Sequence, residues 1–273
     1  MAKIVFENVH PFSLSQTLDC GQCFRWSENE DGTFSGVVRG QFATASYVDG
    51  TLTIDTAYDS DPNMWNDYFD LSLDYMSIKE KLSAMHPVLK EASTYAGGIR
   101  ILKQEPFEAL ISFIISQNNN ISRIKGIVER LCENFGEKID DTHYAFPTAE
   151  KLASLTVDDL NVIRAGFRAR YIIDAANKVH SGEIDLENLR NMEYFDAQKE
   201  LMKITGVGVK VADCALLYGL HRLESFPLDV WMKRALSVLF EGMKGNQFGQ
   251  FGGIAQQYIF HYSRMHKELF VDT

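Results

Sequence analysis

The sequence predicts an α+β fold, with an N-terminal antiparallel β-sheet domain followed by an all-α body. Three observations carry this prediction. Residues 24–56, FRWSENEDGTFSGVVRGQFATASYVDGTLTIDT, are β-branched and aromatic runs punctuated by Asp31-Gly32, Arg39-Gly40 and Asp49-Gly50, the pattern of a meander of hairpins. From about residue 76 the apolar residues recur at spacings of three and four, which is helical text. Late in the chain, Gly206-Val207-Gly208 separates two helical stretches. The expected division is residues 1–98 for the sheet domain and 99–273 for the helical body, with a helix-hairpin-helix at about 197–219.

Each element has its own signal. The polar stretch DSDPNMWNDYFDL (59–71) reads as a connection into the helices. Pro106 suits the first turn of FEALISFIISQ, which is apolar enough to be a buried central helix. ISRIKGIVERLCENFG (121–136) is amphipathic, and Gly136 can close it. Thr156 with Asp159 forms a capping-box pattern before LNVIRAGF. RYIIDAANKVHSG (170–182) is amphipathic and ends in Gly182, and Asp196 can cap AQKELMKI.

Composition bounds the function. At 273 residues with 45% apolar, 12% aromatic and 23% charged side chains, the chain can bury about three quarters of its extended surface. Disulfide-stapled scaffolds, collagen-like repeats and wholesale disorder are excluded. No run of 18 apolar residues suggests a membrane span, and MAKIVFENVHPF lacks a signal core. With four scattered cysteines, Cys20, Cys23, Cys132 and Cys214, an intracellular location is expected, cytoplasmic or at the nucleoid if the source is prokaryotic. The net charge of −10 argues against nucleic acid only until its distribution is read. Residues 1–98 carry 6 basic and 14 acidic side chains, a net of −8, whereas residues 99–273 carry 21 and 23, a net of −2. A local basic cleft in the second part is compatible with that balance.

The segment DAQKELMKITGVGVKVADCALLYGLHRLESFPLDVWMKRAL (196–236) carries the chemistry. Gly206 and Gly208 permit a tight turn, and the N–H groups of the hairpin and of the following helix form an anion site for a DNA phosphate. A plain helix–helix turn is the bland alternative. Lys210 falls in the first turn of the new helix, where the helix dipole disfavours its positive charge and so favours the nucleophilic amine. Asp229 either caps the helix VWMKRALSVLF or aims a carboxylate at the same cleft.

These residues, with CGQCFRW (20–26), SFIISQNNNISRIKGIVERLCENFG (112–136), GFRARYI (166–172), GVGVKVADC (206–214) and FPLDVW (226–231), resemble the 8-oxoguanine DNA glycosylases of the helix-hairpin-helix superfamily. The blocks cover most of the chain in family order. The resemblance implies a TBP-like N-terminal sheet and a bifunctional glycosylase and abasic-site lyase. It would act on oxidised purines in double-stranded DNA, preferably opposite cytosine. A monomer is expected by default, because nothing in the sequence suggests a repeated interface. It implies Lys210 as the nucleophile that forms a Schiff base and Asp229 as the catalytic carboxylate. Gly21 would read the base through its carbonyl, Cys214 and Phe260 would sandwich it, and Gln256 would bond its Watson–Crick edge. Asn118, Arg123 and Arg168 would fill the vacated stack and bond the orphaned cytosine, while Gly206, Gly208 and Val209 would hold a phosphate, with a structural cation on the hairpin carbonyls as an optional addition. No cofactor or catalytic metal is required.

Two residues depart from the family pattern. Phe167 stands where a wedge tyrosine is usual, and Trp231 where a histidine usually contacts a phosphate. The absence of any cysteine after Cys214 excludes the iron–sulfur branches. Individually, Cys214 and Phe260 read as core residues, Asp213 as a helix-end group, and His261 and His266 as ordinary helix residues. Cys20 and Cys23 imitate a redox pair, but their flanks are hairpin-like and no second pair completes a zinc site. A broader oxidised-purine or formamidopyrimidine glycosylase with weak opposite-base preference, and a non-enzymatic DNA-binding module, remain as alternatives.

Overall fold

A computed structural model describes residues 2–270. The hairpin signals mark the turns as expected. Strands β2 (Trp26–Glu28), β3 (Phe34–Val38), β4 (Gln41–Val48) and β5 (Thr51–Thr56) form an antiparallel meander. Arg39 (φ 47°) with Gly40 (φ 74°), and Asp49 (φ 48°) with Gly50 (φ 82°), are left-handed pairs, as two-residue hairpin loops require. One further strand, β1 (Ala2–Phe6), lies against β5 in the order β1-β5-β4-β3-β2, with Ile4 opposite Ile54. No turn announces it, because its partner lies some fifty residues away along the chain.

One face of the sheet is covered by two short helices, α1 (Leu14–Leu18) and α2 (Pro62–Tyr68). Helix α2 lies inside the stretch expected to be a polar connection. Asp61 caps it through the N–H of Asn63 at 2.9 Å, Pro62 starts it, and Trp65 and Tyr68 are its buried anchors. Two turns are too short to show a periodicity.

The helical body consists of α3 (Tyr75–Ser83), α4 (Pro87–Tyr95), α5 (Pro106–Ile115), α6 (Ile121–Phe135), α7 (Ala149–Ala153), α8 (Ala169–His180), α9 (Tyr194–Leu201), α10 (Val209–Tyr218), α11 (Val230–Leu239) and α12 (Gly252–Met265). Helix α5 is central, with every residue from Ala109 to Ile115 buried. Two local expectations need correction. Thr156 and Asp159 do form a reciprocal capping box, but it opens a 3₁₀ turn at Asp159–Ile163, which left-handed Arg164 ends. Asp196 lies within the first turn of α9, paired with Lys199 at 3.2 Å, rather than capping it.

The two apolar cores do not part at residue 98. Helices α3 and α4 pack into the body core, together with Cys20 and Phe24, whereas Leu102 belongs to the sheet core. An extended strap joins them. Its amides donate to a different partner at each residue: Arg100 to Thr17 Oγ1 (3.2 Å), Ile101 to Tyr75 Oη (2.8 Å), Leu102 to Gln22 Oε1 (3.0 Å), Lys103 to the Tyr68 carbonyl (3.0 Å) and Gln104 to the Tyr218 carbonyl (3.2 Å).

Asp70 secures the strap to the loop after α10. Its carboxylate accepts from Tyr75 Oη at 2.9 Å and pairs with Lys103 Nζ and His221 Nε2, each at 3.1 Å. Burial opposes its charge, but the bond and charge of His221, the charge of Lys103 and the bond from Tyr75 outweigh that and hold its pKa below the ordinary value. A depressed carboxylate stabilises the fold above its unfolded-state pKa and loses that contribution as pH falls through the folded one. Asp70→Asn is therefore expected to cost about 3 kcal/mol at pH 7. In urea titrations the gap between mutant and wild type should narrow as pH falls below about 4.

Candidate active site

The site is built around the start of α10. Gly206 has φ 80°, and a Cβ there would lie 2.4 Å from the Tyr171 ring, so the hairpin is folded directly onto α8. Asp174 on α8 accepts the N–H of Thr205 at 2.6 Å and pairs with Lys178, whose ammonium also bonds the Lys203 carbonyl at 2.7 Å. Gly208 is the N-cap, without a side-chain cap bond, and Val209 is exposed. The first N–H groups of α10 thus face outward as an anion site. Among the described residues, no group of three or more His, Cys, Asp or Glu side chains could hold a metal ion.

One turn of α10 separates Lys210 from Cys214, and both line a single pocket of about 50 Å³ with Gly21, Asp229, Gln256 and Phe260. The six residues expected to do chemistry or read a base thus converge from four distant parts of the chain. Cys20, Phe113, Tyr218, Pro227 and Gln257 complete the lining. A larger cavity of about 400 Å³, between the sheet and α6, contains none of the residues singled out as functional.

Lys210 Nζ lies 3.4 Å from Ser116 Oγ and 5.3 Å from the centre of the Phe113 ring. Ser116 is the C-cap of α5. The negative end of the α5 dipole therefore meets the ammonium that the α10 N-terminus disfavours, an opposing effect that reading α10 alone omits. Asp229 accepts the N–H of Met232 at 2.7 Å through Oδ1 and also lines the pocket. Cap and cleft carboxylate are thus one geometry, since capping occupies only one of the two oxygens.

Burial pushes the Cys214 thiol up to about 11, against the charge of Lys210, which lowers it. Cys214 therefore presents a neutral thiol to the pocket. Gln256, buried, donates from Nε2 to the Pro227 carbonyl at 3.3 Å and accepts from Gln257 Nε2 at 3.0 Å. Gly21 has φ 85°, and a Cβ there would find ordinary contacts with Ile121 and Phe260 at 3.6 and 3.9 Å. Backbone conformation, rather than space, is what calls for glycine at this position. Cys20 and Cys23 are free, buried thiols, and burial raises Cys20 to about 12. A redox pair needs an accessible, acidified thiol, which this is not.

The second group of expected DNA contacts lies at the α5–α6 turn. Asn118 is left-handed (φ 47°), Asn119 bonds the Ile115 carbonyl at 3.2 Å, and Asn120 caps α6 through the N–H of Arg123 at 2.9 Å. Each of the three asparagines thus has a backbone task. Arg168 is buried beneath the turn and donates to the carbonyls of Gln117, Asn118 and Ala165. Its guanidinium lies 4.5 Å from the centre of the exposed Phe167 ring, which meets Tyr171 edge-on. Trp231 sits in the first turn of α11, edge-on to Phe270.

Asp213 accepts from Tyr194 Oη (2.6 Å) and Gln198 Nε2 (2.5 Å), tying α9 to α10, and burial raises its pKa. His266 pairs with Glu268 at 2.9 Å, and burial lowers the pKa of His261. Sequence reasoning missed Phe113, Ser116, Tyr218 and Gln257. Phe113 and Ser116 sit one turn apart in a helix read only as core, and that spacing is the one signal that could have found them.

Two family models match adjoining parts of the chain: the 8-oxoguanine DNA glycosylase N-terminal domain matches residues 4–110, and the HhH-GPD superfamily base excision DNA repair protein matches residues 111–247. The chain belongs to the HhH-GPD superfamily, in its 8-oxoguanine DNA glycosylase branch. The structure of MBOgg1 in complex with a low-affinity DNA ligand is 43% identical, with TM-score 0.93 over 98% of this chain and 97% of that one. The Clostridium acetobutylicum 8-oxoguanine glycosylase/lyase, bound to double-stranded DNA with cytosine opposite 8-oxoguanine, is 36% identical, with TM-score 0.90 over 96% and 95%. The N-glycosylase/DNA lyase of Saccharomyces cerevisiae is 42% identical over 152 residues, covering 50% of this chain and 40% of that protein. The chain thus spans less than half the length of the yeast relative and nearly all of the two solved ones. Among the described residues no helix is long and apolar enough to cross a membrane.

The hairpin of this superfamily fold separates its two glycines. Gly206→Ala is expected to destabilise the protein by about 3 kcal/mol, because both the Tyr171 ring and the positive φ oppose a side chain. Gly208→Ala meets nothing within 4 Å and should stay within about 1 kcal/mol of wild type in urea unfolding.

Proposed function

We propose that the protein is a base excision repair enzyme, a bifunctional DNA glycosylase and abasic-site lyase that removes 8-oxoguanine from double-stranded DNA. The observation that carries this reading is the convergence of Lys210, Asp229, Gly21, Cys214, Gln256 and Phe260 on one pocket. A base must leave the stack to enter such a pocket. 8-Oxoguanine carries a hydrogen on N7 where guanine has an acceptor, and the Gly21 carbonyl is the group that would accept it. Cys214 and Phe260 would enclose the two faces of the base, and Gln256 would meet its Watson–Crick edge.

In the reaction, the Lys210 amine attacks C1′ and the N-glycosidic bond breaks, its electron pair leaving with the base. Asp229 stabilises the positive charge that develops on the sugar. The attacking nitrogen loses a proton, and the resulting N,O-acetal opens to a Schiff base as O4′ takes one up. The Schiff base acidifies the C2′ hydrogen, and loss of that proton expels the 3′ phosphate by β-elimination. The carboxylate of Asp229, fixed by its cap bond to Met232, keeps its geometry as charge builds. The N–H groups at the start of α10 hold a backbone phosphate, and a cation on the hairpin carbonyls would add to that hold without entering the chemistry.

Asn118, Arg123 and Arg168, with the ring of Phe167, would serve the strand opposite the lesion. Because Arg168 is bonded to three carbonyls, reaching a cytosine requires it to exchange those bonds for base acceptors. Preference for cytosine is expected to be the part of the activity most dependent on that exchange. The enzyme is read as a monomer.

Borohydride trapping on a duplex with one 8-oxoguanine opposite cytosine tests the proposal. Wild type should give a covalent adduct, and Lys210→Gln should give none. Absence of an adduct with wild type would sink the lyase mechanism. In single-turnover excision, Arg168→Ala should narrow the difference between duplexes with cytosine and with adenine opposite the lesion by about tenfold. An unchanged ratio would remove Arg168 from the opposite-base site.

A further inference from the structure

We infer that Gln22 and Gln104 are a positioning pair that sets the Gly21 wall of the pocket against its α10 wall, and thereby determines how sharply the pocket selects its base. The inference rests on the base-excision reading above. The Gly21 wall comes from the start of the chain, and the wall holding Lys210, Cys214 and Tyr218 comes from near its end. No covalent or secondary-structure feature fixes their separation. Gln22 is wholly buried. Its Nε2 donates to the Thr17 and Arg100 carbonyls, each at 2.8 Å, and its Oε1 accepts the N–H of Leu102 at 3.0 Å. Its own carbonyl accepts Nε2 of Gln104 at 2.7 Å, and the N–H of Gln104 donates to the Tyr218 carbonyl at 3.2 Å.

Two hydrogen bonds through Gln104 thus connect the residue beside Gly21 to the residue one turn beyond Cys214. Neither glutamine lines the pocket, so both act through the groups they hold. The Gly21 carbonyl can read a hydrogen on a base only if its distance from the opposite wall is fixed to a few tenths of an ångström. Strand scission at a site that has already lost its base uses Lys210 but no base-reading wall. A positioning defect should therefore fall on base excision and spare abasic-site cleavage, a split that general destabilisation does not produce.

The experiment compares full-length wild type, Gln104→Met and Gln22→Met, methionine filling the volume while removing the amide. Single-turnover excision of 8-oxoguanine opposite cytosine is measured beside cleavage of a duplex carrying a preformed abasic site. Gln104→Met is expected to slow excision about tenfold, the effect of losing one buried hydrogen bond, with abasic cleavage within about twofold of wild type. Gln22→Met should shift the same ratio further. If Gln22→Met does not fold, Gln104→Met decides the matter, since it leaves the side-chain bonds of Gln22 in place. Equal losses on both substrates, or no loss on either, would overturn the inference alone. Wild type that cleaves the abasic duplex but leaves 8-oxoguanine intact would overturn the base-excision reading, and the inference with it.

Discussion

The structure depends on the backbone of residues 100–104, an extended strap buried between two cores with no strand to pair with. A buried amide without a partner costs about 1–3 kcal/mol, so five in succession would be prohibitive for a domain stable by about 5–15 kcal/mol. Each is satisfied by a different element: α1, α3, the loop after Gly21, α2 and α10. The requirement to pair these five groups is what brings the sheet and the helical body into one register. Arg100 adds to the seam by donating to the carbonyls of Pro11 and Asp70 across the Tyr75 ring.

The candidate active site lies along this seam. Its Gly21 wall hangs from the sheet side through Gln22, and Lys210 from the body through α10. The ends of three helices meet there: the C-terminus of α5 at Ser116, the N-terminus of α10 at Gly208 and the N-terminus of α11 at Asp229. Helix ends carry uncompensated backbone groups and partial charges. Gathering them places an amine, a carboxylate and an anion-binding turn in one region with few side chains. The hairpin and the α5–α6 turn are also joined, by the bonds from Arg168 to Gln117 and Asn118 and the contacts from Arg168 to Phe167, from Phe167 to Tyr171 and from Tyr171 to Gly206.

The legible parts of the fold were those with local causes. Paired left-handed residues produce the turns after Val38 and Val48, Pro106 and a largely apolar run produce α5, and Gly136 and Gly182 follow α6 and α8. The misses share a different cause. Strand β1 has a distant partner, α2 is too short to show a period, and the capping box at Thr156 opens a 3₁₀ turn because the chain reverses at Arg164. The expected boundary at residue 98 followed composition, whereas the cores divide by packing: α4 packs against α12, and α3 against α4.

The sequence by itself determined the class of the fold, the family, and the residue types available for chemistry, because turns, caps and the motif around Gly206–Lys210 are properties of neighbouring residues. Tertiary structure alone decided that Gly21, Lys210, Asp229 and Gln256 face one pocket, that Arg168 is occupied by three carbonyls, and that Ser116 and Phe113 hold the amine. It also decided that Gln22 and Gln104, unremarkable in the chain, bridge the two halves. Those facts rest on contacts between residues tens to hundreds of positions apart. Such contacts arise only when buried polar groups must all find partners in the same packing.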